Sequence, residues 1–200
     1  MIRDCRVIAV DGTHAAGKTT LIHALTAHYR RQGVNVVAMG EPARTSPFME
    51  EIVLYDRSGF DLAAEVDVFA AHLGLQLRTA RNHTLLIADK TIVNVLAYAR
   101  LLLVDPDERS TAVLEAMEMF CLAWAHTYDM IVFTQDRYTQ PGDAFRAKVT
   151  DLQNDADAIL RQTYTRLGVP LVELPGGLDT DERVRWVVDQ AARHGVFPTG

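Results

Sequence analysis

Eight consecutive residues near the beginning of the chain have the types and spacing of a phosphate-binding loop. In the pattern GxxxxGK[ST], Gly12 and Gly17 let the backbone curve so that its N–H groups point into one anion-sized cavity. The ammonium of Lys18 would reach the β- and γ-phosphates of a nucleotide, and the hydroxyl of Thr19 would hold Mg²⁺. The sequence therefore predicts that ATP and Mg²⁺ bind at Gly12, Thr13, His14, Ala15, Ala16, Gly17, Lys18, Thr19 and Thr20.

Strand, loop and helix follow one another in the order that this phosphate site requires. Residues 6–10 form a short apolar run typical of a buried strand. Residues 20–31 then carry apolar side chains at helical spacing, and the N-terminus of that helix would direct its positive dipole at the same cavity. A glycine turn that matches by chance is the alternative, and it does not predict this order.

Strand-like and helical segments alternate along the rest of the chain. The order predicts an α/β fold, namely a three-layer P-loop NTPase fold with a mostly parallel five-stranded sheet and helices on both faces. We expect a single domain over residues 1–200, with a lid loop at about 136–150. Further strands are predicted at 34–39, 84–88, 130–134 and 170–174, and helices at 62–80, 91–103, 105–124, 151–167 and 179–194.

Three of these helices have informative details. The segment 91–103 is apolar nearly all round, which predicts a central, buried helix. Asp105 is predicted as the N-cap of the helix that follows, with Pro106 in its first turn. Asp179 and Glu182 have the spacing that caps the last helix.

Charged residues follow four of the five predicted strands, and the carboxyl ends of parallel strands meet at one cleft. Asp89 ends the third strand and is predicted to hold Mg²⁺; capping of the next helix is its alternative. Glu41 follows the second strand and is predicted as the general base; an ion pair with Arg44 or Lys90 is its alternative. Which carboxylate serves the metal and which serves the acceptor stays open at this point.

One face of the helix 62–80 has the residues to bind a planar acceptor. Phe69 could stack on a nucleobase, and the amide of Gln76, seven residues later, pairs well with a base edge. Core packing for Phe69 and a backbone hydrogen bond for Gln76 are equally good interpretations, and the flanking His72 is predicted to be structural. The remaining acceptor candidates are Arg44, for a phosphate, and the i, i+4 ridge Lys90, Asn94 and Tyr98.

The loop at 136–150 is basic as well as polar. Arg137, Arg146 and Lys148 would stabilise the charge that develops on a migrating phosphoryl group when the loop closes, whereas a solvated loop is the alternative.

Composition narrows the functional class. The chain has 200 residues, 48% of them apolar, and a formal net charge of −6, which argues against a general nucleic-acid-binding protein. The longest apolar stretch, 92–104, has 13 residues and contains Asn94 and Arg100, so no membrane span is expected. Cys5 and Cys121 lie in apolar surroundings, and we expect buried thiols in a cytoplasmic protein without a secretory leader.

These motifs resemble the thymidylate-kinase-like branch of the nucleoside and nucleotide kinases. That family has Glu-Pro after strand two, as at Glu41-Pro42, and Asp-Arg-Tyr-x-x-Ser-x-x-Ala-Tyr-Gln after strand three. Residues 89–99 match the Asp, Ala and Tyr in register, but Lys90 replaces the Arg, Asn94 the Ser and Ala99 the Gln. The Asp-Arg pair that holds a monophosphate in thymidylate kinases is absent from residues 69–73.

A second resemblance, to nicotinamide-riboside-kinase-like P-loop proteins, rests on residues 41–44 and on the segment 137–167. Together the resemblances imply ATP-dependent phosphoryl transfer to a small nucleoside or nucleoside monophosphate. They also imply a homodimer through the helices that flank strand three, although the segment 91–103 fits the core equally well. A kinase for another metabolite and a P-loop ATPase or regulatory switch are the alternatives.

Overall fold

Five parallel strands form one sheet, and the order in the sheet is β2-β3-β1-β4-β5. The computed structural model describes residues 2, 4–12, 16–48, 61–103, 105–136 and 153–196, with side chains in the last range from residue 156 onward. β1 therefore lies at the centre, between the strand that ends in Asp89 and the strand that leads to the predicted lid. The strands are β1 Arg6–Gly12, β2 Val36–Met39, β3 Leu85–Asp89, β4 Met130–Thr134 and β5 Val172–Glu173.

Six α-helices cover the two faces of this sheet in the described part of the chain. α1 and α6 pack together on one face, and α3 packs against α2, α4 and α5 on the other. A short 3₁₀ turn, Pro42–Thr45, follows β2, and another, Ala125–Thr127, follows α4. The helices are α1 Lys18–Arg31, α2 Leu62–Ala80, α3 Ile92–Leu102, α4 Glu108–Trp124, α5 Gln153–Arg166 and α6 Thr180–Arg193.

Alternating side chains of the strands build two separate cores. Val7 and Ala9 of β1 join the core under α2 to α5, whereas Ile8 and Val10 join the core under α1 and α6. Asp11 is two residues after Ala9, so the same alternation places its side chain on the α3 face, as for Val7 and Ala9. On β3 it assigns Asp89 to the α1 face, in step with Leu85 and Ile87. The two acidic residues at the strand ends thus lie on opposite sides of the sheet.

The α/β fold class, the parallel five-stranded sheet and the buried position of the helix at 91–103 are confirmed. α3 is buried from Ile92 to Ala97, so this part of the helix belongs to the core. Dimerisation through the helices that flank β3 stays a prediction.

The predicted start of α4 is wrong by two residues. Asp105 has a φ of 49°, in the left-handed region, whereas an N-cap residue has an extended backbone. Asp107 takes the role, because its carboxylate accepts a hydrogen bond of 2.7 Å from the N–H of Ser110. The capping box predicted for α6 is present, with Asp179 and Glu182 each bonded to the other's backbone N–H.

Cys5 and Cys121 are buried free thiols, as expected. None of the helices in the described residues has the length and apolar character needed to cross a lipid bilayer. The predicted lid, apart from Asp136, lies outside the described residues.

Candidate active site

The phosphate loop begins where two strands approach each other closely. Gly12 ends β1 with a φ of 130°, and a Cβ atom there would lie 2.4 Å from the carbonyl oxygen of Thr134 on β4. Gly17 has a φ of 74° and precedes the first residue of α1. Both predicted glycine positions therefore have backbone conformations that L side chains rarely adopt.

Lys18 is buried at the N-terminus of α1, and its ammonium donates a 3.1 Å hydrogen bond to the carbonyl of Gly12. Its pKa is lowered from 10.5 to about 8, mainly by burial and also by Lys90, while Asp89, Glu41 and Asp11 act in the opposite direction. The ammonium thus stays charged at neutral pH. Of these electrostatic neighbours, Asp89, Glu41 and Lys90 were predicted to share the cleft, whereas Asp11 was not.

Asp89 has the features of a metal ligand. It is 6% exposed, and its Oδ1 has no hydrogen-bond partner among the described residues. Burial raises the pKa of this carboxyl, Lys18 lowers it and Glu41 raises it. The alternative, capping of α3, is wrong, because Thr91 is the N-cap and accepts from the N–H of Asn94 at 3.2 Å.

The residues present fit Mg²⁺. A buried carboxylate oxygen without a partner suits a hard cation, and the exposed Thr19 hydroxyl lies in the first turn of α1, on the same face of the sheet as Asp89. Within the described ranges no group of three or more His, Cys, Asp or Glu side chains is placed to hold a metal ion. Mg²⁺ needs no such cage, since it is usually bound by one or two protein oxygens together with substrate phosphates and water.

Glu41 is held by two cations at the end of β2. Its Oε1 accepts from the ammonium of Lys90 at 2.5 Å, and its Oε2 accepts from Nε of Arg44 at 3.2 Å. Lys90 also lies over the ring of Tyr98, 5.1 Å from its centroid. Glu41 raises the pKa of Lys90 against a lowering by burial, so this pair stays ionised. Both ion pairs that the sequence offered as the alternative role of Glu41 are present.

Lys90 adopts a φ of 69°, in the left-handed region that non-glycine residues rarely occupy. Its N–H donates to the carbonyl of Val10 at 3.0 Å, which extends the β1–β3 ladder by one residue. Strained backbone of this kind is concentrated at functional sites.

The α2 residues predicted to bind a base are both buried. Phe69 packs edge-on against Phe120 of α4, with ring centroids 5.8 Å apart. The Oε1 of Gln76 accepts from the hydroxyl of Tyr128 at 3.2 Å and from Nε1 of Trp124 at 3.4 Å, whereas its Nε2 has no partner among the described residues. Gln76 therefore binds side chains and not backbone, and base binding by either residue stays a prediction.

Two further polar residues of α2 were not predicted to bind a ligand: Glu65 was not singled out, and His72 was predicted to be structural. Both lie on the same buried stripe as Phe69 and Gln76. The pKa of Glu65 is raised from 4.5 to about 7, mainly by burial, while Lys90 acts against this rise. The pKa of His72 is lowered from 6.5 to about 4, mainly by burial and also by Lys90, and its Nε2 has no partner in the described structure. A charged residue inside an apolar helical stripe is the signal that would have singled out Glu65.

Asp11 is the largest omission. This fully buried carboxylate accepts from the Asn94 amide at 2.5 Å, from the Thr91 hydroxyl at 3.1 Å and from the Tyr164 hydroxyl. It therefore joins the end of β1 to the start of α3 and to α5, and it accounts for Asn94, which the sequence assigned to an acceptor ridge. We call Asp11, Thr91, Asn94 and Tyr164 the aspartate hub. The signal in the sequence was a charged residue at the end of a buried strand.

Arg183 of α6 was also missed, and it is 3% exposed. Its guanidinium contacts the phosphate loop at Ala16 and the loop after β4 at Asp136. The remaining predicted site residues, Thr13, His14, Ala15, Arg137 and Arg146, lie outside the described residues, as does Lys148. Thr20 is exposed in the first turn of α1.

Fold and site together define a P-loop nucleotide-binding protein. A family model described as an AAA domain (AAA_28) matches residues 7–183, so the chain belongs to that family. No protein of curated function matches the chain by sequence.

The fold is similar to solved structures of P-loop kinases, which confirms the resemblance seen in the sequence. The NadR protein in complex with NR superposes with a TM-score of 0.75 at 18% identity, over 98% of this chain and 53% of that one. Deoxyadenosine kinase from M. mycoides superposes with a TM-score of 0.67 at 14% identity, over 94% of this chain and 98% of that one. Thymidylate kinase from Candida albicans superposes with a TM-score of 0.65 at 16% identity, over 94% of this chain and 92% of that one. This chain spans about half the length of the NadR protein, and identities this low show the fold alone.

Proposed function

We propose that the protein is a kinase that transfers the γ-phosphoryl group of Mg²⁺-ATP to a hydroxyl of a nucleoside or nucleoside monophosphate. The observation that carries the proposal is the separation of two carboxylates beside Lys18. Asp89 keeps an oxygen on the α1 face that has no partner among the described residues, and Glu41 is held by Lys90 beside the buried stripe of α2. One carboxylate for the metal and another for an acceptor is what phosphoryl transfer to a second substrate requires.

On the donor side, the chain contributes charge and orientation. Lys18 neutralises the β- and γ-phosphates, and the N-terminus of α1 adds its dipole. Thr19 and Asp89 would hold Mg²⁺, which supplies charge neutralisation between the phosphates when bound. The lid residues Arg137 and Arg146 belong to this proposal as cations that cover the migrating group.

On the acceptor side, Glu41 accepts a hydrogen bond from the acceptor hydroxyl and takes its proton. The hydroxyl oxygen attacks the γ-phosphorus, the bond to the β–γ bridging oxygen breaks, and ADP leaves. The ion pairs with Lys90 and Arg44 fix the position of the carboxylate. Phe69, Gln76 and Tyr98 are the proposed contacts to the base and sugar.

Two kinds of support favour a nucleoside-type acceptor. The planar amide of Gln76 has a buried donor without a partner among the described residues, and a base edge would supply the acceptor. The similar structures include a complex with NR, a deoxyadenosine kinase and a thymidylate kinase, all with acceptors of this class.

A nucleotide hydrolase or regulatory switch is the second candidate, and the match to an AAA-domain family favours it. Such a protein would turn over ATP steadily without any small acceptor. A kinase for a hydroxyl compound of another class differs from both in its acceptor.

The deciding experiment follows labelled γ-phosphate from ATP into a panel of nucleosides, nucleoside monophosphates and other hydroxyl compounds. We expect transfer to at least one nucleoside or nucleotide, and we expect Lys18→Ala to reduce it by more than about 1,000-fold because the phosphates lose their main cation. Arg31→Ala, which removes a cation at an exposed position at the other end of α1, should change it little. Steady hydrolysis without transfer would establish the hydrolase, and transfer to other hydroxyl compounds alone would exclude the nucleoside-type acceptor.

A further inference from the structure

Arg183 lies where three loops meet at the carboxyl edge of the sheet. Its Nε donates to the carbonyl of Leu178 at 3.1 Å, in the loop after β5. One terminal nitrogen donates to the carbonyl of Ala16 at 3.4 Å, and the other contacts the carboxylate of Asp136 after β4. A single buried side chain on α6 thus connects the phosphate loop with both loops on the β4–β5 side.

The contact with Ala16 controls the direction of a phosphate-loop N–H group. A trans peptide is planar, so the carbonyl of Ala16 and the N–H of Gly17 point in opposite directions. With the carbonyl held towards Arg183, the N–H of Gly17 faces away from α6. Gly17 has a φ of 74°, and its freedom of rotation makes an external anchor for this peptide useful.

Asp136 keeps the guanidinium in place. Its Oδ2 contacts Arg183, and its Oδ1 accepts from the N–H of Gly177 at 3.2 Å. The planar guanidinium offers five donors in a rigid fork, which matches three acceptors on three separate loops. A lysine has a single ammonium and cannot reproduce this arrangement.

We infer that Arg183 is a positioning residue for the phosphate chain of the donor nucleotide, acting through the carbonyl of Ala16 on the N–H of Gly17. The inference rests on the donor part of the proposed function and is independent of the acceptor. Arg183 itself need not touch the nucleotide.

The test measures binding of Mg²⁺-ATP and of magnesium tripolyphosphate, which has the phosphate chain without base or sugar, by titration calorimetry. In Arg183→Gln we expect both dissociation constants to rise by about tenfold, as for loss of one hydrogen bond to a charged group. Arg183→Lys should weaken both ligands by a similar factor, because the charge remains and the fork is lost. Arg185→Gln, at an exposed position on the same helix, is the matched control and should leave both constants unchanged.

Three results would overturn the inference. One is full retention of tripolyphosphate binding in Arg183→Gln, with or without a lower melting temperature. Another is full rescue by Arg183→Lys, which would show that only the charge matters. The third is weaker ATP binding with unchanged tripolyphosphate binding, which would assign Arg183 to the base end of the nucleotide.

Two further results separate a loss of folding, and a failure of the proposed kinase function, from a failure of the inference on Arg183. If both Arg183 variants unfold, Asp136→Asn replaces them, because it removes only the charge of the carboxylate that contacts Arg183. We expect tripolyphosphate to bind this variant about threefold more weakly. Unchanged binding would contradict the inference. If the wild-type protein binds Mg²⁺-ATP but transfers phosphate to no acceptor, the kinase proposal fails while the Arg183 result still stands.

Discussion

The donor half and the acceptor half of the cleft differ in how their buried polar groups are paired. The donor half consists of Lys18, the aspartate hub and the Arg183 junction, and its polar side chains have partners. The acceptor half consists of the α2 stripe Glu65, Phe69, His72 and Gln76. There, Nε2 of His72 and Nε2 of Gln76 lack partners among the described residues.

This difference indicates two modes of binding. Each buried polar group without a partner costs roughly 1–3 kcal/mol, and a ligand that pairs with it recovers that cost. Under the proposed function, the donor half is therefore preorganised for its ligand, whereas the acceptor half is completed only when its ligand binds. Asp89 differs from the other polar residues of the donor half, because its Oδ1 has no partner among the described residues and is available to a cation.

The most direct test of the donor half, whose polar side chains are paired, removes the carboxylate at the centre of the aspartate hub. We expect Asp11→Ala to lower the free energy of unfolding by about 4 kcal/mol, because four buried donors, the N–H of Gly12 among them, lose their acceptor. Asp11→Asn keeps the shape and one carbonyl, and the hydroxyls of Thr91 and Tyr164 can reverse their roles, so its loss should be about 1 kcal/mol. Urea unfolding measures both variants. Equal losses would show that shape alone holds the hub together.

Glu65 tests whether the acceptor half is strained by a buried charge. Its pKa is raised from 4.5 to about 7, mainly by burial, so between these values the folded state keeps a proton that the unfolded state releases. Stability then falls as the pH rises from 4.5 to 7, by up to about 3 kcal/mol. Glu65→Gln should remove this fall, leaving the variant equal to wild type at pH 4 and more stable at pH 8.

Urea unfolding across that pH range checks the Glu65 prediction. Glu115→Gln, at an exposed position on α4, serves as the matched control and should follow the wild-type curve. Parallel curves for Glu65→Gln and wild type would mean that the carboxyl has the same pKa in the folded and unfolded states, and the contrast between the halves would weaken.

Gln76 gives the smallest expected effect and the most specific one. Gln76→Leu removes the amide nitrogen that has no partner among the described residues, and we expect the acceptor KM to rise by about tenfold while the KM for ATP stays within about twofold. Tyr128 and Trp124 also lose their acceptor, so the variant's melting temperature must be measured alongside. Equal effects on both substrates would remove Gln76 from the acceptor half.

Local patterns were enough to predict the fold and much of the donor half. The strand-loop-helix order, Lys18 and the strand-end positions of Asp89 and Glu41 depend on residues close together in the chain. The aspartate hub could not be found in this way, because Asp11 meets Thr91, Asn94 and Tyr164 only after the sheet and two helices, α3 and α5, have assembled. Arg183 is a similar case, since one arginine on an amphipathic helix normally indicates a solvated face.

The left-handed residue Lys90 has a consequence for the relative placement of Asp89 and Glu41. Lys90 immediately follows Asp89, and the two neighbours serve opposite sides of the sheet, the first towards α1 and the second towards Glu41 and Tyr98. Their Cα atoms are separated by one peptide, about 3.8 Å. The residue proposed for the metal and the cation that holds the proposed base are thus joined by a single covalent link, so neither can shift far without distorting the end of β3.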